Sequence, residues 1–418
     1  MIGLTQFLGF FFCINLFSCN QENQKEYIVI IHCNIIDGTG NPVKTDQTII
    51  IKDKFIDTLG SAIKIPKNAK IIDASGKTII PGMIDMHGHL FAIGATQSDA
   101  YPKLYLAGGV TTIFSPGEFN PNKVIELRKK INTGELIGPR IFTAGPYFDT
   151  EPSQIQWIDG SRDTLEIKKK FDEWKGNIDA VKVYTHISKE HFKLLIDLAA
   201  QEGLFVTGHL GSIKTSYAIE NGIHGLEHGL FTMTEFHKNY DDINMRYKDI
   251  AELNMQDEQL LNIIELIVRN QVYVDPTIVT FQSYLSSFKP VCPDLTEYLK
   301  PKALNFLNSP YLQLDSLTNN YLLKALDNQL KFCKMVYDKG GMLVAGTDPV
   351  NPKLLPGFAI KREIELIHEA GIPIIDAIKS ATLNAAKALS KEDEIGSIEP
   401  GKIADLVFYK YEQLKYFG

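Results

Sequence analysis

The sequence predicts a (β/α)8 TIM barrel accompanied by a small β-sheet domain formed by N- and C-terminal segments. Three observations predict it. From about residue 80, short apolar runs alternate with stretches of helical periodicity. Eight such runs occur in order, as a closed parallel barrel requires. The 418 residues accommodate a full barrel and a satellite sheet.

The chain opens on a leader over residues 1–19. Residues 2–17 form an apolar run without a charged side chain, too short for a permanent span and suited to a signal h-region. Leu16-Phe17-Ser18-Cys19 and the polar stretch behind it resemble the lipobox of bacterial lipoproteins, although no Lys or Arg precedes the run. That resemblance implies cleavage before Cys19, a lipid anchor on its thiol, and a place in the bacterial cell envelope facing the periplasm or cell surface.

Residues 27–79 read as the first part of the small β domain. Tyr27-Ile28-Val29-Ile30-Ile31 and Thr48-Ile49-Ile50-Ile51 are β-rich runs separated by the turn Asp37-Gly38-Thr39-Gly40, and residues 69–73 and 77–80 continue the pattern.

The barrel is expected over residues 80–390, with strands at 79–86, 110–115, 140–144, 180–184, 204–207, 225–227, 272–275 and 342–345. Between them the helical face repeats. Ser188 is placed to cap a helix bearing Phe192, Leu195, Ile196 and Ala199, which ends at Gly203. Leu322, Leu326, Leu330 and Cys333 form another stripe, and Ile360, Ile364 and Ile367 a third. No glycine-rich phosphate loop follows the first strand, which disfavours a dinucleotide-binding sheet. A single helix is expected over 374–389, and residues 391–418 return to the small β domain through a turn and a strand, stopping where a longer, completed sheet is expected.

Composition narrows the function classes. Apolar residues at 44% and charged residues at 22% describe an ordinary globular core. A net charge of −7 argues against a nucleic-acid partner, which calls for a basic face. Cys33, Cys292 and Cys333 are widely spaced, without a metal or disulfide pattern, and read as buried apolar side chains. Homo-oligomerisation is left open.

The chemistry lies at the strand ends. In Asp85-Met86-His87-Gly88-His89, alternate residues share a face, so both imidazoles point into the barrel mouth. His209 follows the fifth run, His228 ends the sixth, and Asp348 closes the eighth. Lys182 stands inside the apolar run Ala180-Val181-Lys182-Val183-Tyr184, where an ammonium is costly unless it is paired or chemically changed. Tyr184, two residues on, shares the inward face and is a candidate donor to substrate. His186 reads as a solvated loop residue and His224 as a capping or packing one, while His32, His191, His237 and His368 read as structural or exposed.

These motifs, with Thr382-Leu383-Asn384-Ala385-Ala386 and the segment Gly396-Ser397-Ile398-Glu399-Pro400-Gly401-Lys402, resemble the amidohydrolase superfamily, in particular its imidazolonepropionase-like and prolidase-like metal-dependent hydrolases. The resemblance runs from about residue 27 to 408. It implies that His87, His89 and Asp348 hold one metal and His209 and His228 a second. Lys182, carboxylated by CO2, would bridge them; zinc suits this donor set. It further implies hydrolysis of a C–N bond in a small amide, dipeptide-like or cyclic, by a hydroxide bridging the metals, with Asp348 accepting and passing on its proton. Two rivals stay open: a one-metal deaminase or imidazolonepropionase-type hydrolase, and a lipid-anchored binding protein without turnover. The loop at Ala144–Pro152 departs from the glycine- and histidine-containing loop of such relatives, so substrate preference does not carry over.

Overall fold

The computed structural model describes residues 27–90, 100–152, 158, 160–289, 301, 314–349, 351 and 353–410. The leader with its lipobox, Cys292 and residues 411–418 lie outside the described residues.

The first strands, β1 (Tyr27–Ile35), β2 (Lys44–Lys52), β3 (Phe55–Gly60), β4 (Lys70–Asp73) and β5 (Lys77–Pro81), form one sheet. Alternation along β1 and β2 sends Ile28, Ile30, Ile49 and Ile51 into a common core with Ile56 and Ile79, and Cys33 is buried there too.

The barrel follows as β6 (Met83–Asp85), β7 (Val110–Ser115), β8 (Arg140–Thr143), β9 (Tyr147–Phe148), β10 (Ala180–Val183), β11 (Phe205–Gly208), β12 (Gly225–Glu227), β13 (Tyr273–Asp275) and β14 (Met342–Leu343). Consecutive pairs are parallel, in the runs β6-β7-β8 and β9 through β14. β8 and β9 are two pieces of the third barrel strand. Asp179 ties β8 to the fourth, its N–H donating to Thr143 O at 2.8 Å while its carboxylate accepts from Thr143 N at 2.8 Å, and β9 pairs with β10 directly. Closure comes from Met86 N donating to Ala345 O at 2.9 Å and Asp348 N donating to His87 O at 2.8 Å.

Helices fill the connections: α1 (Ala100–Ala107), α2 (Pro121–Asn132), α3 (Thr164–Trp174), α4 (Lys189–Gln201), α5 (Thr215–Glu220), α6 (Ile243–Ala251), α7 (Glu258–Arg269), α8 (Ile278–Ser283), α9 (Ser316–Asp338), α10 (Ala359–Glu369), α11 (Ile374–Ser380) and α12 (Leu383–Ala388). The Ser188 hydroxyl caps α4 by accepting from His191 N at 3.1 Å. In α7, Leu260, Ile263, Ile264 and Ile267 all face the barrel, each worth about 1.5–3 kcal/mol of burial.

Three expectations are corrected. The run at 79–86 serves two sheets, β5 and β6, with Gly82 as the joint; a Cβ there would meet Thr111 Oγ1 at 2.2 Å. β9 lies beyond the run read as the third strand. The helix expected over 374–389 is two helices, because the Ala381 carbonyl accepts from Ile84 N at 2.7 Å and leaves the helical ladder. The last strand, β15 (Leu406–Lys410), returns to pair antiparallel with β5.

Candidate metal centre

Every candidate ligand stands on, or just beyond, the C-terminal end of a barrel strand, where neighbouring strands converge. His87 and His89 follow β6, with Gly88 between them packed against Tyr105 and Ile113. Asp348 is brought to them by the closure of the barrel: its Oδ1 lies 3.2 Å from His89 Nε2 and 3.9 Å from His87 Nε2. Potential donor atoms of these three residues all lie within 4.8 Å of one another. A second such group is His87, Glu227 and His228. The rings of His87 and His228 are 4.9 Å apart, and those of His228 and His209 4.6 Å.

The backbone is bent to achieve this. His228 (φ 65°), Thr277 (φ 40°) and Asp348 (φ 42°), which follow β12, β13 and β14, adopt left-handed conformations. Such a conformation in a β-branched residue costs about 1–3 kcal/mol and persists only where its surroundings hold it. Here they do: His228 N donates to Asp275 O at 2.7 Å, and His228 Nδ1 lies 2.7 Å from Thr277 Oγ1.

A further layer of carboxylates orients the candidate ligands. His87 Nδ1 donates to Asp275 Oδ2 at 2.8 Å, leaving Nε2 to face the cleft. Asp85 accepts from His87 N at 3.1 Å, Thr347 N at 3.1 Å and Thr347 Oγ1 at 2.5 Å, tying the first strand to the last. Burial pushes Asp85 up to about 7. Glu118, buried, accepts from Leu90 N and Ser115 Oγ near His89.

The electrostatics suit a cation. Burial pushes His87, His209 and His228 well below the ordinary histidine value, so their nitrogens keep free lone pairs. Burial works against the Asp348 carboxylate, yet the histidines around it, with the hydrogen bond from His89 among them, leave it well below the usual range. His89 Nδ1 is buried without a hydrogen-bond partner among the described residues. Burial works to lower His89 too, but the Asp348 carboxylate beside it raises it; the neutral imidazoles of His87, His209 and His228 and the anionic Asp348 fit a divalent metal ion.

Lys182 is buried on β10 and in direct contact with Glu227, whose other oxygen accepts from Thr207 Oγ1 at 3.0 Å. Burial pushes the ammonium down to about 7. His209 stands outside both donor groups, its Nε2 2.8 Å from the Tyr240 hydroxyl. Tyr184 lines the cleft with its ring 5.0 Å from that of His209.

The cleft measures about 420 Å³, and His87, His89, Lys182, His209, His228 and Asp348 all open onto it. His186, expected in solvent, is half-buried and lines it as well, because its N–H donates to the buried Asp149 carboxylate at 3.1 Å. His191 is buried, paired with Thr150 Oγ1 at 2.9 Å, and His224 Nδ1 accepts from Val206 N at 3.1 Å. Sequence reasoning missed Asp275, although a carboxylate closing Tyr273-Val274-Asp275 follows the same strand-end rule as Asp348. It also passed over Glu227, next to His228, and Tyr147 and Arg246, which no local pattern marks.

Residues 78–416 match the family model described as "Amidohydrolase family". The chain is 22% identical to imidazolonepropionase of Clostridium tetani over 89% of this chain and 86% of that protein. It is 25% identical to 5-methylthioadenosine/S-adenosylhomocysteine deaminase of Acetivibrio thermocellus over 90% of this chain and 83% of the relative. Among solved structures, a putative prolidase from Bifidobacterium longum superposes with a TM-score of 0.72 at 22% identity, covering 94% of this chain and 91% of that one. A Xaa-Pro dipeptidase with bound methionine gives 0.69 at 21% identity, with 94% and 96% covered. The barrel with its strand-end histidines and this match agree: the chain belongs to the amidohydrolase family and is a hydrolase acting on C–N bonds.

Proposed function

We propose that the chain hydrolyses the C–N bond of a small amide, dipeptide-like or cyclic, with a pair of zinc ions held by His87, His89, Asp348, His209, His228 and carboxylated Lys182. The observation that carries this reading is the convergence of the His87, His89 and Asp348 donor atoms at the mouth of the cleft. Bound divalent metal supplies an acidified water and a Lewis acid for the carbonyl. Asp348, ionised and 3.2 Å from His89, accepts the proton of the attacking water and delivers it to the departing nitrogen. The Tyr184 phenol, raised further by burial, stays protonated and donates to the substrate carbonyl. Asp275 and Asp85 hold His87 in place throughout.

One-metal chemistry is the second reading. It is favoured by His209 standing against Tyr240 and by Lys182 being paired with Glu227, which leaves His87, His89 and Asp348 as the open group among the described residues. Elemental analysis of chain produced with zinc and bicarbonate separates the two: about two metals per chain supports the bridged pair, about one the alternative. A screen of dipeptides and cyclic amides then tests turnover. Asp348→Asn is expected to lower kcat by about 10²–10⁴-fold with most metal retained. Undiminished turnover in that variant overturns the proton-transfer role.

We also propose the envelope placement, which rests on the leader ending at Cys19. Among the described residues no helix is long and apolar enough to cross a membrane.

A further inference from the structure

Arg246 stands on α6 and lines the same cleft as the candidate ligands. Its guanidinium carbon lies 4.7 Å from the centre of the Tyr240 ring, and the Tyr240 hydroxyl lies 2.8 Å from His209 Nε2. A continuous wall therefore runs from the ligand cluster through His209 and Tyr240 to the guanidinium. Arg128, Arg140, Arg162 and Arg362 each meet a carboxylate, and Arg269 is exposed to solvent. Arg246 meets none among the described residues, and its Nε is buried without a hydrogen-bond partner.

That arrangement is costly unless something completes it. A buried guanidinium N–H without an acceptor carries its full desolvation penalty. The planar fork presents parallel donors matched to one carboxylate. The cation–π contact with Tyr240 holds the guanidinium against the cleft wall before any ligand arrives. A doubly charged phosphate fits less well, since Asp241 and Asp348 line the same cleft and repel it.

We propose that Arg246 anchors a free carboxylate on the substrate, so that the cleft selects carboxylate-bearing amides over uncharged ones. The word "substrate" rests on the hydrolytic reading above; the anion site itself does not. Arg246 thereby distinguishes amino-acid-derived amides from neutral cyclic amides that occupy the same metal-facing volume.

The test is calorimetric titration of the full, metal-loaded chain with a panel of dipeptides and their C-terminal amides, alongside initial rates on both panels. Wild type is expected to bind the free acids at least about tenfold tighter than the matching amides. Arg246→Gln should abolish that preference, and Arg246→Lys should restore part of it, because charge returns without the fork. Should Arg246→Gln fail to fold, the acid-to-amide ratio in wild type and in Arg246→Lys decides. Equal binding of acids and amides in wild type, or no binding by either panel, overturns the proposal. Acid-selective binding without turnover keeps the anchor and removes the hydrolytic reading. Turnover without acid preference does the reverse.

Discussion

His87 Nδ1 donates to Asp275 Oδ2 across 2.8 Å, and both side chains are almost wholly excluded from solvent. The pair joins the ends of the first and seventh barrel strands. It selects the tautomer of His87 that turns Nε2 toward Asp348 and His89.

Asp275 is therefore expected to act through His87. Asp275→Ala should weaken metal retention by about 10–100-fold in chelator competition, with secondary structure intact. An unchanged metal affinity would contradict the orienting role.

Gly346 is the space that permits this contact. A Cβ at that position would stand 2.5 Å from both Asp275 carboxylate oxygens and 2.6 Å from His87 Cβ. Gly346→Ala should lower stability by about 1–3 kcal/mol and reduce metal content, read by thermal melting and elemental analysis of one preparation.

Lys182 offers a direct test of the bridged pair. In Lys182→Met, metal content should fall by about one ion per chain, and bicarbonate should cease to stimulate turnover. A variant that keeps its full metal complement would favour the one-metal reading.

The small sheet makes a pH prediction. Burial works to raise Asp37, but hydrogen bonds from Thr39 and Lys44 outweigh it and hold the carboxyl below its ordinary value of 3.8. A depressed folded pKa means the unfolded chain binds more protons as pH falls. The stabilisation is thus present above 3.8 and is lost as pH drops through the folded value. Asp37→Asn should melt earlier than wild type at neutral pH, and the two curves should converge on acidification. Parallel curves down to strongly acid pH would refute the assignment.

Legibility in the sequence followed locality. Period-two apolar runs and helical stripes are local, so the barrel and its capped helices could be read directly. His87, His89, Lys182, His209, His228 and Asp348 were legible because a strand end is a local feature with a known direction. What failed was decided by partners distant in the chain. Ala381 breaks its helix to bond Ile84, and Gly82 passes the chain from one sheet to the other.

The sequence alone determined the architecture, the strand-end candidate residues and the family, because periodicity and residue type set which side chains a barrel must turn inward. Only the tertiary structure decided which of these candidates touch. Closure brings Asp348 to His87 and His89, while Tyr240 occupies His209 and Glu227 occupies Lys182. It also left Arg246 in the cleft without a carboxylate among the described residues. Those relationships depend on through-space distances set by closure and loop packing, which no spacing along the chain encodes.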